Sequence, residues 1–168
     1  MFRAANEVRV QYNLPEFEKD TLLQKVAETH AYEMIFRNFY NHQNPYDARQ
    51  RMLSDRIEYI SGHKNEYNNL AENIANYDIL ASQSRYCEKK ISDGSYYYFD
   101  CQSRQRMPLL TYKDLARLVV KGWMESPGHR ANLLNKKYKY LGTACRLSNS
   151  PYSTPAPPFA RLVQNFGS

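Results

Sequence analysis

Gly122-Trp123-Met124-Glu125-Ser126-Pro127-Gly128-His129-Arg130-Ala131-Asn132-Leu133-Leu134 is the stretch that decides how this chain folds. Its first part closes an amphipathic helix. Leu115, Leu118, Val119, Gly122 and Trp123 recur at helical spacing behind Thr111 and Asp114, a capping-box pair. That helix is expected to stop near Ser126. Ser126 is also a good N-cap, and Pro127 suits the first position of a new turn, so a short helix through His129 to Leu134 should follow. His129 therefore sits at a helix boundary, where a side chain can project into a cleft rather than a core.

Toward the N-terminus, Leu22, Val26, His30 and Met34, with Leu23, Ala27, Ala31 and Ile35 beside them, mark a long helix from about Phe17 to Tyr40. Its apolar stripe is broad, so one side is well buried. Asn44 is expected to cap a second, short helix with Pro45 at its first position, carrying Tyr46, Arg49 and Met52. A polar stretch through Gly62 and Asn69 leads to the partly apolar Leu70-Ala71-Glu72-Asn73-Ile74-Ala75. Residues 1–15 are expected to be an N-terminal extension of a single domain spanning 1–168.

Toward the C-terminus, Tyr138 to Leu147 alternates, with Leu141, Thr143, Cys145 and Leu147 on one face, and Pro158 to Phe166 does the same. Between them, Ser148 to Pro158 carries four prolines, which exclude helix and predict an extended loop. Helices, a hairpin, a helix and then strands predict an α+β fold, an antiparallel sheet covered by helices.

The hairpin is read from Asp93-Gly94, a strong turn signal, followed by Tyr96-Tyr97-Tyr98-Phe99, which favours strand. With the loop centred on Gly94, Cys87 and Cys101 face each other. A disulfide there would contribute about 3 kcal/mol in the chain-entropy model and fit an oxidising compartment. The alternative is two unrelated free thiols. Cys145 reads as a small buried apolar residue.

With 168 residues the chain is long enough for one domain with its own core. No apolar run approaches the ~18 residues of a membrane-spanning helix. The opening Met1-Phe2-Arg3-Ala4-Ala5 lacks the apolar stretch of a secretory leader, so the protein stays inside the cell or the sequence starts after a removed leader. The net charge of +6 is scattered and comes with no nucleic-acid recognition motif, so a solvated basic surface is the reading and nucleic acid is not an expected partner.

Among the four histidines, His30 lies on an apolar stripe and reads as a packing residue, and His63 as exposed. His42 and His129 sit at helix boundaries. Glu72 lies in an apolar segment, where a carboxylate needs a reason. Two imidazoles and a carboxylate are a set that could hold zinc or share protons.

The Trp123-to-Leu134 block resembles the signature of bacterial CAP-domain proteins (the SCP/PR-1-like superfamily). Three further matches follow in the expected order: Phe39-Tyr40-Asn41-His42, Leu70-Ala71-Glu72-Asn73-Ile74-Ala75 and Gln164-Asn165-Phe166-Gly167. The resemblance implies an α-β-α sandwich with a solvent-facing cleft. In many members two His and two Glu line that cleft, and some bind zinc or another divalent cation there. His42, Glu72 and His129 match three of those positions. Ser126 stands where the family's second Glu usually falls, and Glu125 lies about 100° away round the helix. Three ligands would leave water to complete a zinc shell, which weakens the case for tight binding.

Two functions from different classes follow. The leading expectation is a noncatalytic, secreted or surface-displayed binding domain, a monomer, whose ligand is a lipid or sterol, a polysaccharide, or a host or envelope protein. Tyr96, Tyr97, Tyr98 and Phe99 are its expected contact residues, because some relatives bind sterols near this hairpin. Fifteen tyrosines supply amphipathic contact surface. The alternative is a divalent-metal-dependent hydrolase using His42, Glu72 and His129. Ser126 as a helix cap accounts for that residue without a nucleophilic role.

Overall fold

A computed structural model describes residues 1–64, 66–81 and 86–168. Helix α1 (Phe2–Gln11) is followed by the two-residue strand β1 (Glu18–Lys19) and helix α2 (Thr21–Phe36). A 3-10 turn (Ala48–Gln50) precedes α3 (Leu53–Ser61) and strand β2 (Leu70–Asp78). Strands β3 (Tyr86–Lys90) and β4 (Tyr96–Asp100) form the hairpin. Helices α4 (Tyr112–Glu125) and α5 (Pro127–Leu133) then lead to β5 (Tyr140–Leu147) and β6 (Phe159–Gly167).

The main sheet has the order β1-β5-β6-β2, and the β3-β4 hairpin is a separate ribbon. Strands β5, β6 and β2 are antiparallel, and β1 adds a short parallel pairing to β5. Helix α2 covers one face, where Ala27, Ala31 and Met34 pack on Ile74, Ala144 and Val163. On the other face Leu115, Val119, Trp123 and Leu133 of α4 and α5 pack on Leu141, Leu162 and Phe166. The result is the expected α-β-α sandwich. Gly142 is what lets α2 lie so close to the sheet, since a Cβ there would stand 2.1 Å from the Leu23 carbonyl carbon.

Several local expectations are corrected. The long helix starts at Thr21 because the Asp20 carboxylate caps it, accepting from Leu23 N at 2.8 Å, while Glu18 and Lys19 are drawn into the sheet. It ends at Phe36, with Asn38 at φ 51° breaking the spiral. Asn44 does not cap a helix. Its Oδ1 accepts from Tyr46 N at 2.9 Å in a local turn, and the α-helix of this region is α3, in a stretch whose sequence reads only as polar. Residues 2–11, within the expected extension, form α1, whose Ala4, Ala5 and Arg9 are buried. The Arg9 guanidinium donates to the carbonyls of Pro15, Leu133 and Asn135, which ties α1 to the end of α5.

The hairpin carries the Cys87–Cys101 disulfide, with Cα atoms 5.1 Å apart. Its register is centred one residue earlier than expected. Cys87 lies opposite Phe99, so Cys101 reaches back from beyond the strand end. The turn sets this: Asp93 Oδ1 accepts from Ser95 N and Gly94 sits at φ +86°, which a glycine adopts freely.

Candidate functional site: a polar cleft over the edge strand

Strand β2 is an edge of the main sheet, and the cleft residues meet over it. Successive side chains of a strand point to opposite faces. Glu72 and Ile74 turn toward α2, while Asn73 and Ala75 turn toward α4 and α5. The sequence neighbours Glu72 and Asn73 therefore serve different sides of the sheet.

On the α2 side the Glu72 side chain is only 5% exposed, and each oxygen has a strong partner. Oε2 accepts from Arg56 Nη2 at 2.5 Å, and Oε1 accepts from His42 Nδ1 at 2.9 Å. Asn165, with its amide turned to satisfy both ends, donates Nδ2–H to Oε2 at 3.2 Å. Burial alone would raise the Glu72 carboxyl. The His42 hydrogen bond and the Arg56 charge outweigh it and hold the group below the usual carboxylate range.

Arg56, on α3, is fully buried. Its Nη1 donates to the carbonyls of His42 at 3.1 Å and Arg51 at 3.2 Å, so one guanidinium joins α3, the 42–51 loop and β2. Arginine is almost never this deep unless paired, and here the partner is Glu72. His30 lies in the same layer with no exposure. The Asn41 carbonyl accepts from its Nε2 at 3.0 Å, so Nε2 carries the proton. Burial, helped by the Arg56 charge, pushes His30 down to about 4.

On the α5 side, Asn73 Nδ2 donates to the His129 carbonyl at 3.2 Å and Asn73 Oδ1 accepts from Asn132 Nδ2 at 2.8 Å, pinning α5 to β2. Trp123 Nε1 donates to the Ile74 carbonyl at 3.2 Å. His129 is half-buried, and its Nδ1 lies 2.9 Å from Ser126 Oγ. Burial and then the nearby His42 lower its basicity. Ser126 occupies the N-cap position of α5, but its hydroxyl is used on His129 rather than on a helix amide. Glu125 points outward beside Lys121 at 3.9 Å.

His42 and Glu72 are thus brought into contact, while His129 Nδ1 is partnered with Ser126 Oγ. Among the described residues no group of three His, Cys, Asp or Glu is arranged to hold a metal ion. The donor chemistry agrees, because Glu72 is already matched by an internal cation. The residues present do not fit a zinc site.

The expected contact residues of the hairpin divide. Tyr98 and Phe99 are buried, and Tyr96 and Tyr97 are half-buried. Tyr98 Oη donates among the carbonyls of the proline-rich loop, reaching Ala156 O at 2.7 Å and Thr154 O at 3.0 Å. Beside it lies a cavity of about 310 Å³, lined by Tyr97, Tyr98, Tyr152, Met107, Leu109 and Arg106 among others.

A three-layer α-β-α sandwich with a His42–Glu72 pair over one sheet edge is the architecture of a CAP-type domain. The chain belongs to that family: the profile described as the cysteine-rich secretory protein family matches residues 2–166. It is similar to the "uncharacterized membrane protein YlbC" of Bacillus subtilis, with 28% identity over 137 residues, 82% of this chain and 28% of that protein. The chain thus spans well under two thirds of that relative. An extracellular protein containing an SCP domain from Bacillus anthracis superposes with a TM-score of 0.59 at 22% identity, covering 99% of this chain and 38% of that one. An outer surface protein of Borrelia burgdorferi gives 0.62 at 18% identity, covering 99% and 88%. These superpositions show a shared fold. Among the described residues no helix is long and apolar enough to cross a membrane.

Proposed function

We propose that this chain is an extracytoplasmic, noncatalytic binding domain that holds an amphipathic ligand of the lipid or sterol class at the hairpin cavity. The observation that carries the reading is the cavity itself. Tyr97, Tyr152, Met107 and Leu109 offer apolar and aromatic surface, and Arg106 offers one charged group at its margin. A few polar groups among apolar walls are the usual make-up of a small-molecule site, and about 310 Å³ falls at the small end of such sites. The Cys87–Cys101 disulfide supports an oxidising compartment, as do the extracellular and outer-surface descriptions of the structural neighbours.

The metal-dependent hydrolase reading has less support. Glu72 is committed to Arg56 and His42, and His129 Nδ1 is committed to Ser126. Ligand binding at the hairpin needs none of these groups.

Binding of a fluorescent fatty acid and of a fluorescent sterol, followed by titration, tests the proposal. Saturable binding should weaken at least about tenfold in Tyr97→Ala and in Leu109→Ala, because each removes a buried contact area worth more than about 1.4 kcal/mol. His129→Ala should leave it unchanged. No saturable binding of either probe, or binding lost with His129 and kept without Tyr97, would refute the assignment.

A further inference from the structure

We infer that Arg56 is the resident cation beneath the cleft: its guanidinium neutralises Glu72 from within and, through it, fixes the tautomer of His42. The inference concerns the cleft and does not depend on what the hairpin cavity binds.

Three observations converge. First, the guanidinium and the carboxylate are a matched pair in a dry layer, 2.5 Å apart, with side chains 1% and 5% exposed. A carboxylate so placed has its charge cancelled from within, so it gains little from coordinating a further cation. Second, the pairing is directional. With Oε2 on Arg56, Oε1 is left for His42 Nδ1. An ionised carboxylate is acceptor-only, so Nδ1 carries a proton, and in the neutral ring it is Nε2 that presents the lone pair. Third, Arg56 also holds the backbone of the residue it positions, donating to the His42 carbonyl at 3.1 Å. Backbone and ring of His42 are therefore both set by one buried cation. The His42 side chain is 53% exposed.

The consequence is a cleft with a nitrogen acceptor at its mouth and no electrophilic metal. A ligand hydroxyl or amide N–H is the complementary group for that nitrogen. Arg56 is in this sense a positioning residue. It lies under the cleft and acts through Glu72 and His42.

Two measurements on the whole chain test this. The first is calorimetric titration of zinc chloride into the wild type beside His42→Ala. No saturable binding is expected. One-to-one zinc binding by the wild type that is lost in His42→Ala would overturn the inference. The second is the ring-nitrogen NMR signature of His42 in wild type, Arg56→Lys and Arg56→Met. The wild type and Arg56→Lys should show the Nδ1–H form, and Arg56→Met should show a mixture with Nε2–H. A wild type in the Nε2–H form would overturn the inference even where Arg56→Met does not fold. So would a folded Arg56→Met with the wild-type signature.

Discussion

The cleft over β2 and the pocket beside the β3-β4 hairpin are built on opposite plans. The cleft is organised by buried charge: Arg56, Glu72 and His30 have almost no exposure and are closed on one another. The hairpin is organised by rings and a cross-link. Tyr97, Tyr98 and Tyr152 stand around a cavity, and the Cys87–Cys101 disulfide ties the ribbon together. In a buried polar layer an unmet charge is costly, so Glu72 is committed to Arg56 and His42, while His30 Nδ1 and Arg56 Nε are buried there without a hydrogen-bond partner among the described residues. Aromatic surface carries no such obligation and can stay half open to an incoming molecule. Charged residues that look like chemistry are here the frame, and residues that look like packing leave the opening.

The largest expected effect breaks the cleft side of this contrast. Arg56→Ala leaves Glu72 buried and unpaired, which should cost about 3–5 kcal/mol of stability in urea unfolding. Removing both charges, as in Arg56→Met with Glu72→Gln, should cost clearly less than the sum of the single changes. Additive single effects would mean that the two groups do not act as a pair.

Acid should expose the same layer. The folded state holds His30 at about 4 against an ordinary 6.5, so the unfolded chain takes up a proton first as pH falls. Stability from the neutral, buried ring is complete above about pH 6.5 and is lost progressively down to about pH 4, by about 3 kcal/mol in all. Glu72 adds to this in the same sense. Its depressed carboxyl gives stability that is present above the ordinary 4.5 and fades as pH falls through its lower folded value. His30→Gln should flatten the loss between pH 6.5 and 4 in a series of unfolding curves. An unchanged slope would place the acid sensitivity elsewhere.

On the hairpin side, Cys87→Ser with Cys101→Ser opens a loop of sequence separation 14, a change of about 3 kcal/mol in the chain-entropy model. The ribbon is not a strand of the main sheet, and its outside backbone bonds go to the neighbouring loops at Gln105, Met107 and Tyr152, so the loss should be local. Amide exchange should quicken in β3 and β4 while β5 and β6 keep their protection. Global loss of protection would show that the ribbon holds the sandwich together.

How much of this was legible depended on whether a residue's environment is set by its sequence neighbours. The α4–α5 junction was readable because caps and turns are local: Thr111 Oγ1 accepts from Asp114 N at 3.1 Å, and α5 starts at Pro127. The hairpin was readable for the same reason, and it missed its centre by one residue because Cys101 pairs from outside the ladder. Helix α3 was hidden because its one deeply buried charged side chain, Arg56, finds its counter-ion on β2 and not on its own element. Helix α1 was hidden likewise, since Arg9 is buried by carbonyls at the far end of α5. The cleft residues were picked out by their helix-boundary and apolar settings and by resemblance, but nothing local showed that Glu72 finds its counter-ion in Arg56.

The smallest expected effect is the sharpest test of the contrast, because it separates the two jobs of one ring. Tyr98 lines the cavity, while its hydroxyl is used on the proline-rich loop at Thr154 and Ala156. Tyr98→Phe removes only the hydroxyl and should cost about 1 kcal/mol, leaving carbonyls that reach water when the loop relaxes. Tyr98→Ala also empties a buried volume and should cost about 3–5 kcal/mol. If the cavity holds an apolar ligand by ring contact, probe affinity should change less than about threefold in Tyr98→Phe, because the ring face stays in place. A larger loss in Tyr98→Phe would mean that the loop on Tyr98 Oη is itself part of the pocket wall, and that this opening, like the cleft, depends on a hydrogen bond beneath it.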